Sequence, residues 1–200
     1  MANPEKKKKE EPVTNPKQNV TLYLHDLCYM LAVIMIVFLL FFRIIVVDGG
    51  SMYATLRDGD YLLLLGNVFY KTAERGDIVV VSKESFDHGS AIVKRVIATE
   101  GQIVDMDFGN GIVYVDGLPL EEDYINTPTN LDEGMLFPLI VEENCVFVMG
   151  DNRNASKDSR SPEIGLVDRR EILGKAVFLL FPGTHRGEET RNFDRMGAIQ

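Results

Sequence analysis

The chain has 200 residues, of which 46% are apolar and 26% charged, which is enough for one domain with an ordinary core and one further element. Its net charge of −9 makes nucleic acid a poor candidate partner, because phosphate binding depends on clustered lysine and arginine. The two cysteines, Cys28 and Cys145, cannot form a disulfide framework. The composition therefore favours a domain held together by its apolar core.

The first predicted element is an apolar run near the N-terminus. Leu27–Phe42 contains no charged residue, and Ile44–Val47 continues the run beyond Arg43. A helix needs about 20 such residues to cross the hydrocarbon layer of a membrane. We expect residues 25–43 to form one transmembrane anchor, preceded by a disordered polar tail over residues 1–24.

The charges that flank this run predict its orientation. Five lysines precede it, whereas only Arg43 and Arg57 follow within about 20 residues, which places the N-terminus in the cytoplasm and the remaining chain outside. A cleavable signal sequence is the alternative, with Gly49 and Gly50 as small residues before the cut. Its apolar region would usually be only about 7–15 residues long, so a retained anchor in the cell membrane is favoured.

Short runs of β-branched and aromatic residues, separated by turn residues, follow the anchor. Asp116-Gly117 between two apolar stretches indicates a hairpin, because both residues tolerate positive φ. We expect an all-β external domain over residues 44–182, with antiparallel, partly barrel-like sheets and short helices at 161–165 and 168–171. Residues 183–200 are predicted to be a loose external tail. The predicted strands are Ile44–Val47, Tyr61–Leu65, Ile78–Ser82, Ala91–Ala98, Ile103–Met106, Ile112–Val115, Cys145–Met149 and Lys175–Phe181.

The sequence offers few residues for catalysis by a histidine or a metal ion. His25, His88 and His185 are far apart in the sequence, so a Ser-His-Asp triad is not favoured. Cysteine, histidine and acidic residues do not occur with the spacing of a metal site, and the glycine motifs that bind phosphates or dinucleotides are missing. We therefore expect neither a metal nor a cofactor.

Lys94 is a candidate base in a predicted strand. Because side chains alternate along a strand, it shares a face with Ile92, Val96 and Ala98, which carry no acidic group. Desolvation there can lower a lysine pKa from about 10.4 by up to about 3–5 units, which allows general-base chemistry. From alternation alone, a lysine at a sheet edge that reaches water is the commoner arrangement.

Ser51 is a candidate nucleophile close to the outer membrane surface. It follows the anchor within a few residues, and Gly49 and Gly50 before it would let another chain approach closely. Taken alone, a Gly-Gly-Ser segment is more often a flexible joint.

Three separated segments together carry a specific pattern. They are Ser51-Met52-Tyr53-Ala54-Thr55-Leu56, Lys94-Arg95-Val96-Ile97-Ala98-Thr99-Glu100-Gly101 and Gly150-Asp151-Asn152-Arg153-Asn154-Ala155-Ser156-Lys157-Asp158-Ser159-Arg160. In order, spacing and position after an anchor, they resemble the motifs of type I signal peptidases, the membrane-bound serine proteases that remove signal peptides from exported proteins. The resemblance runs from the anchor to about Pro182.

The resemblance implies that the β domain is catalytic and uses a Ser/Lys dyad. Lys94 would take the proton of Ser51, whose oxygen would attack the scissile carbonyl to give an acyl-enzyme. The Ser51 backbone N–H would stabilise the oxyanion. Ser156 would hydrogen-bond the Lys94 amine and fix its direction.

The resemblance also implies supporting and substrate-binding positions. Asp158 with Arg160, and Asp151 with Arg95, would brace the site as ion pairs. The substrate would be the C-terminal end of a preprotein signal peptide, extended beside strands, with small residues in two shallow pockets. The residues expected to bind it are Gly49, Gly50, Met52 and Ile92. The lipid bilayer is the other expected partner.

The chain departs from the family pattern at three positions. Ala54 stands where proline is usual, and Gln102 stands where an acidic residue is common. Gly49 stands where some members have a serine that helps to bind the oxyanion, so backbone donors must serve there. We expect the changes at Ala54 and Gln102 to alter stability more than activity.

Two other functions remain open from the sequence. One is an anchored cell-wall thiol transpeptidase that uses Cys145 with His88 and Arg153. The other is a non-catalytic binding domain descended from the protease, to which Ala54 gives some weight.

Overall fold

A computed structural model describes residues 16–84, 86, 89–184 and 190–199, with side chains from residue 20 onward. The chain divides into two compact units, Met1–Leu40 and Phe41–Gln200. Helix α1 spans Pro16–Phe41. Among the described residues, it alone contains a helical stretch that is long and apolar enough to cross a membrane. That stretch is Val20–Phe41, 22 residues with a mean hydropathy of 2.3.

The boundaries of the predicted anchor differ from those of the helix. Residues 16–24, which were expected in the tail, are helical, and residues 42 and 43, which were expected in the anchor, belong to the first strand. Residues 1–15 of the predicted tail lie outside the described residues. The helix extends upstream because polar residues are compatible with a helical backbone, so composition alone does not mark its beginning.

The second unit consists mainly of antiparallel strands. All eight predicted strands are confirmed, with ends that differ by at most three residues. Four further strands have two residues each, too short to give a periodic pattern. The strands are β1 Phe42–Val46, β2 Tyr61–Gly66, β3 Ile78–Ser82, β4 Ala91–Thr99, β5 Ile103–Asp107, β6 Ile112–Val115, β7 Leu118–Pro119, β8 Leu139–Ile140, β9 Cys145–Met149, β10 Val167–Asp168, β11 Ile172–Phe181 and β12 Gly197–Ala198.

The strands form two sheets. The larger has the order β1-β2-β11-β3-β4-β9-β10, with β12 pairing to β11, and the smaller has the order β7-β6-β5-β8. All the strand pairs among the described residues are antiparallel. Among the described residues the sheets are not closed into a barrel, because β1 and β10 end the larger sheet without pairing to each other.

The turns follow their local chemistry with one exception. Asp116 (φ 53°) and Gly117 (φ 76°) form the predicted hairpin, which pairs Val115 with Leu118. The helix expected at 168–171 is a single 3-10 turn, Arg169–Glu171, capped by Asp168. The helix expected at 161–165 is only a hydrogen-bonded turn, because Pro162 and Gly165 leave too few good helix formers for a second turn.

The C-terminal segment is ordered rather than loose. Residues 193–195 form a 3-10 turn, and β12 pairs with Phe178 and Leu179 of β11. The predicted loose tail is therefore wrong for residues 190–199, while residues 185–189 lie outside the described residues. Backbone pairing orders this segment, and polar composition gives no indication of such pairing.

The buried core divides into three apolar clusters. The first contains Met52 and Leu56 from the segment after β1, together with residues of β2, β3, β4 and β11. The second and third lie along β3, β4, β9 and the smaller sheet. Strand β4 contributes to all three clusters, so it is central to the domain.

Candidate active site

The turn that carries Ser51 is fixed by the core. Met52 and Leu56 lie one turn apart, and each is 1% exposed in the first apolar cluster. The Leu56 N–H donates to the Met52 carbonyl (2.8 Å), and the Tyr53 N–H donates to the Gly50 carbonyl (3.1 Å). Burial of such a side chain contributes about 1.5–3 kcal/mol. Ser51, half-buried at the beginning of the turn, is therefore held on a packed element.

Lys94 lies in the interior of the sheet. It is 2% exposed, and in the antiparallel pairing of β3 with β4 it lies opposite Val79. The more frequent alternative, a lysine that reaches water at a sheet edge, is wrong because β4 lies between β3 and β9. Val93–Ala98 are all buried, so neither face of this part of the strand is open to solvent.

The two candidate catalytic groups are in direct contact. Lys94 Nζ lies 2.7 Å from Ser51 Oγ and donates to the Val93 carbonyl at 3.1 Å. Burial lowers the pKa of Lys94 to about 8, although the negative charges of Asp158 and Glu133 oppose the shift. About half of this lysine is therefore neutral near pH 8, where its lone pair can accept the serine proton.

The loop after β9 approaches the Ser51 turn closely. A Cβ at Gly150 would lie 2.2 Å from Ser156 Oγ and 2.4 Å from the Ser51 carbonyl oxygen. The Asn152 N–H donates to that same carbonyl at 3.0 Å. Glycine is therefore required at position 150 for steric reasons, because any side chain would push the loop and the turn apart.

Two buried ion pairs lie near Ser51 and Lys94, Asp151 with Arg95 and Asp158 with Arg160. Asp151 accepts two hydrogen bonds from Arg95, at 2.9 and 2.8 Å, and a third from the Thr55 hydroxyl. Asp158 and Arg160 are both fully buried and lie 2.8 Å apart. Asp151 thus joins all three sequence segments, since Thr55 belongs to the first and Arg95 to the second.

Ser156 does not make its expected contact. The Lys94 amine donates to Ser51 and Val93 among the described residues, whereas Ser156 Oγ donates to Asp158 Oδ2 at 3.0 Å. The expectation of a Ser156–Lys94 hydrogen bond is therefore wrong for this conformation. The single hydroxyl proton of Ser156 is used on the buried Asp158 carboxylate, a charged and hence stronger acceptor than a neutral amine.

An open cleft of about 380 Å³ lies beside Ser51. Of the expected substrate-binding residues, Gly49 and Gly50 line it, whereas Met52 lies in the core and Ile92 is half-buried against the second apolar cluster. The Gly49 N–H donates to Asp58 Oδ1 at 2.9 Å, so it is already occupied. The cleft is lined by Asp48, Gly49, Gly50, Tyr53, Arg57, Asp58, Asn152 and Ala155.

Asn152 is a site residue to which the sequence assigned no role. Its side-chain amide donates to the Gly50 carbonyl at 3.0 Å. The N–H of Ser51 belongs to the same trans peptide plane and points the opposite way. No described residue accepts a hydrogen bond from that N–H. Asn152 thereby fixes the plane of the peptide whose N–H is the expected oxyanion donor. Its position in the third sequence segment was the one sign in the sequence that it belongs to the site.

The departures from the family pattern lie outside the Ser51–Lys94 contact. Gln102 accepts from Thr99 and donates to Asp116 at 2.8 Å, so it fastens the turn between β4 and β5. Ala54 is exposed in the turn after Ser51.

The residues of the thiol alternative are not gathered into a site. Cys145 begins β9, whereas Arg153 lies in the loop that follows the other end of that strand. Burial raises the pKa of Cys145, which makes it a poor nucleophile. Arg153 instead pairs with Glu122, and His88 lies outside the described residues. The geometry therefore disfavours thiol chemistry.

Comparison with known proteins gives concordant matches. The family described as "Signal peptidase, peptidase S26" matches residues 21–181. A probable signal peptidase I-1 from Synechocystis sp. is 38% identical over 149 residues, 71% of this chain and 72% of the relative. A signal peptidase I from Bacillus licheniformis is 31% identical over 181 residues, 86% of this chain and 95% of the relative. A crystal structure of a signal peptidase I from Enterococcus faecalis V583 is 30% identical, covers 52% of this chain and 97% of its own, and has a TM-score of 0.42.

Proposed function

Since the chain belongs to the peptidase S26 family of signal peptidases, we propose that it removes signal peptides from preproteins, with Ser51 and Lys94 as its catalytic dyad. The 2.7 Å contact between Lys94 Nζ and Ser51 Oγ carries this proposal. It provides a nucleophile and a base within hydrogen-bonding reach, and the base is desolvated enough to be neutral near its working pH.

The reaction follows from this geometry in two halves. Neutral Lys94 takes the Ser51 proton as the oxygen attacks the scissile carbonyl carbon, and the carbonyl oxygen becomes an oxyanion. The Lys94 ammonium then gives its proton to the leaving amine as the C–N bond breaks, which leaves an ester on Ser51. Water, deprotonated by Lys94, hydrolyses that ester and restores both groups.

The oxyanion would be stabilised by the Ser51 backbone N–H. Asn152 supports this role because it holds the Gly50–Ser51 peptide plane by its carbonyl end. Donors that are fixed before the reaction are effective because they need no reorganisation as charge develops. The Arg95–Asp151 ion pair acts further away and holds the base strand against the nucleophile turn.

We infer from the family membership that the substrate carries small residues at the end of its signal peptide. The apolar helix and the family membership support attachment to a membrane. We infer from the lysine bias that the N-terminus is cytoplasmic and the β domain external. Anchoring confines enzyme and cleavage site to one surface, which raises their effective concentration.

Purified full-length chain in detergent micelles is expected to cleave a precursor after a small residue at the end of its signal peptide. Mass spectrometry of the mature product measures the new N-terminus. A precursor in which that small residue is replaced by a large aromatic residue is the matched control and should not be cleaved. Failure to cleave any preprotein, or equal cleavage of both precursors, would contradict the proposal.

The pH dependence of kcat/KM is expected to show a basic group that must be deprotonated, with a pKa near 8. Protonated Lys94 has no lone pair, so the rate should fall about tenfold for each pH unit below this value. Initial rates with a subsaturating peptide substrate between about pH 6 and 10 measure the limb. A profile that stays flat between about pH 6 and 9 would exclude Lys94 as the base.

A further inference from the structure

The ordered C-terminal segment, residues 190–199, lies beyond the part of the chain that matches the family. Three contacts fix it on β11 and on the residues that follow. Arg191 donates to the Pro182 carbonyl at 2.7 Å, and the Phe193 ring packs edge-to-face on Phe181 with ring centres 5.5 Å apart. The Ile199 N–H donates to the Val177 carbonyl at 3.2 Å. The Phe193 and Ile199 contacts flank Arg195 and hold the short turn in which it lies.

Arg195 makes a buried ion pair with Asp60. Its guanidinium donates to the two Asp60 carboxylate oxygens at 3.0 and 2.7 Å, and Asp60 is fully buried. The same carboxylate accepts the backbone N–H groups of Arg57 (2.8 Å) and Gly183 (2.6 Å). One carboxylate therefore joins the segment after Ser51, the end of β11 and the C-terminal segment.

Arg195 also reaches the nucleophile turn itself. Its second donor at Nη2 contacts the Thr55 carbonyl oxygen at 3.1 Å. Thr55 lies in the turn that begins at Ser51, and its hydroxyl donates to Asp151. Two contacts of Thr55 thus hold the turn. Arg195 binds its carbonyl oxygen, and Asp151 binds its hydroxyl. A cation is well suited to such a carbonyl, because the last carbonyls of a helical turn lack partners and carry negative partial charge.

We propose that Arg195 is a positioning residue for catalysis, which holds the turn of Ser51 at hydrogen-bonding distance from Lys94 through its contacts with Asp60 and the Thr55 carbonyl. The proposal rests on the proposed dyad. A displacement of about 1 Å at a reacting group can cost about 100-fold in rate, so a contact that touches neither reacting atom can still control turnover.

Arg195→Met in the full chain is expected to lower kcat by about 10- to 100-fold with KM changed less than about twofold. Rates are measured in detergent micelles, well below the melting temperature of each variant. They are divided by the concentration of competent sites, titrated with an acylating serine-reactive inhibitor, so that loss of folded protein does not enter kcat. Arg195→Lys should recover part of the rate, because its ammonium can reach Asp60 but cannot bind both carboxylate oxygens and the carbonyl.

Arg191→Met is the matched control, because Arg191 belongs to the same segment and, among the described residues, its guanidinium bonds the Pro182 carbonyl and lies over the Phe181 ring, away from Asp60 and Thr55. It should leave kcat within about twofold. If Arg195→Met does not fold, the double replacement Asp60→Asn with Arg195→Gln removes both buried charges together and carries the same expected loss of kcat. A wild-type kcat per titrated site in the Arg195→Met or the double variant would overturn the proposal. Activity of Ser51→Ala would instead overturn the dyad, so the two failures are distinguishable.

Discussion

Lys94→Met is expected to lower kcat/KM for a precursor by about 10³-fold or more. Methionine fills a similar volume among the apolar neighbours, but its thioether cannot accept the Ser51 proton near neutral pH. Ser51→Ala removes the nucleophile and should be equally inactive. The rate at which the mature N-terminus forms, followed by mass spectrometry at equal concentrations of folded protein, measures both losses.

The Lys94→Arg variant distinguishes whether Lys94 acts as a base or only through its positive charge. Arginine keeps the cation but stays protonated at every usable pH, so it cannot take a proton from Ser51. It should therefore be as inactive as Lys94→Met. Lys71→Met is the matched control, since Lys71 is exposed in the loop between β2 and β3 and should retain activity within about twofold.

The double variant tests whether the two residues act as one unit. If Lys94 serves only to activate Ser51, then Ser51→Ala combined with Lys94→Met should be no less active than either single variant. Retention of more than about a tenth of the wild-type rate by either single variant would refute the dyad.

Local pattern was enough to predict the eight longer strands, because each is a short apolar run bounded by its own turn residues. Ile78–Ser82, Ile112–Val115 and Cys145–Met149 begin and end where the apolar runs do. The hairpin at Asp116-Gly117 needs only two residues with positive φ. These features depend on neighbours in the sequence, which a single sequence displays.

Contacts between distant segments were not predictable in this way. Gly150 has to be glycine because Ser51 and Ser156 approach it in space, and no local pattern shows that approach. β12 has only two residues, so its pairing to β11 leaves no periodic signal. The burial of Lys94 depends equally on which strands lie beside β4, whereas its own strand pattern is compatible with exposure.

The site combines two opposing requirements at Lys94. Its burial disfavours the charged form, yet the carboxylates of Asp158, Glu133 and Asp151 favour that form and keep the pKa near 8 rather than lower. A base with a pKa near the working pH combines sufficient neutral amine with sufficient basicity. The acidic groups around the proposed dyad therefore raise the pKa of Lys94 as well as bracing the loop.

Lys94→Met is also expected to stabilise the fold at pH 7, by up to about 3 kcal/mol. Burial lowers the pKa of Lys94 from 10.5 to about 8, so the folded chain binds this proton less tightly than the unfolded chain does. At pH 7 both states are largely protonated, and the folded state carries the full cost of a buried charge, about 1.4 kcal/mol for each unit of the shift. Methionine carries no charge to desolvate, so it avoids this cost.

The sign of this effect makes it pH-dependent in a defined window. As the pH rises from about 8 to 10.5, the folded wild-type chain loses the proton before the unfolded chain does, so its stability increases with pH. The advantage of Lys94→Met should therefore shrink across this window and vanish near pH 11. Urea unfolding of the full chain in micelles, monitored by circular dichroism at pH 7 and 10.5, measures the difference, with Lys71→Met as the control. A Lys94→Met variant that is less stable than wild type by the same amount at both pH values would show that burial does not lower the pKa of Lys94.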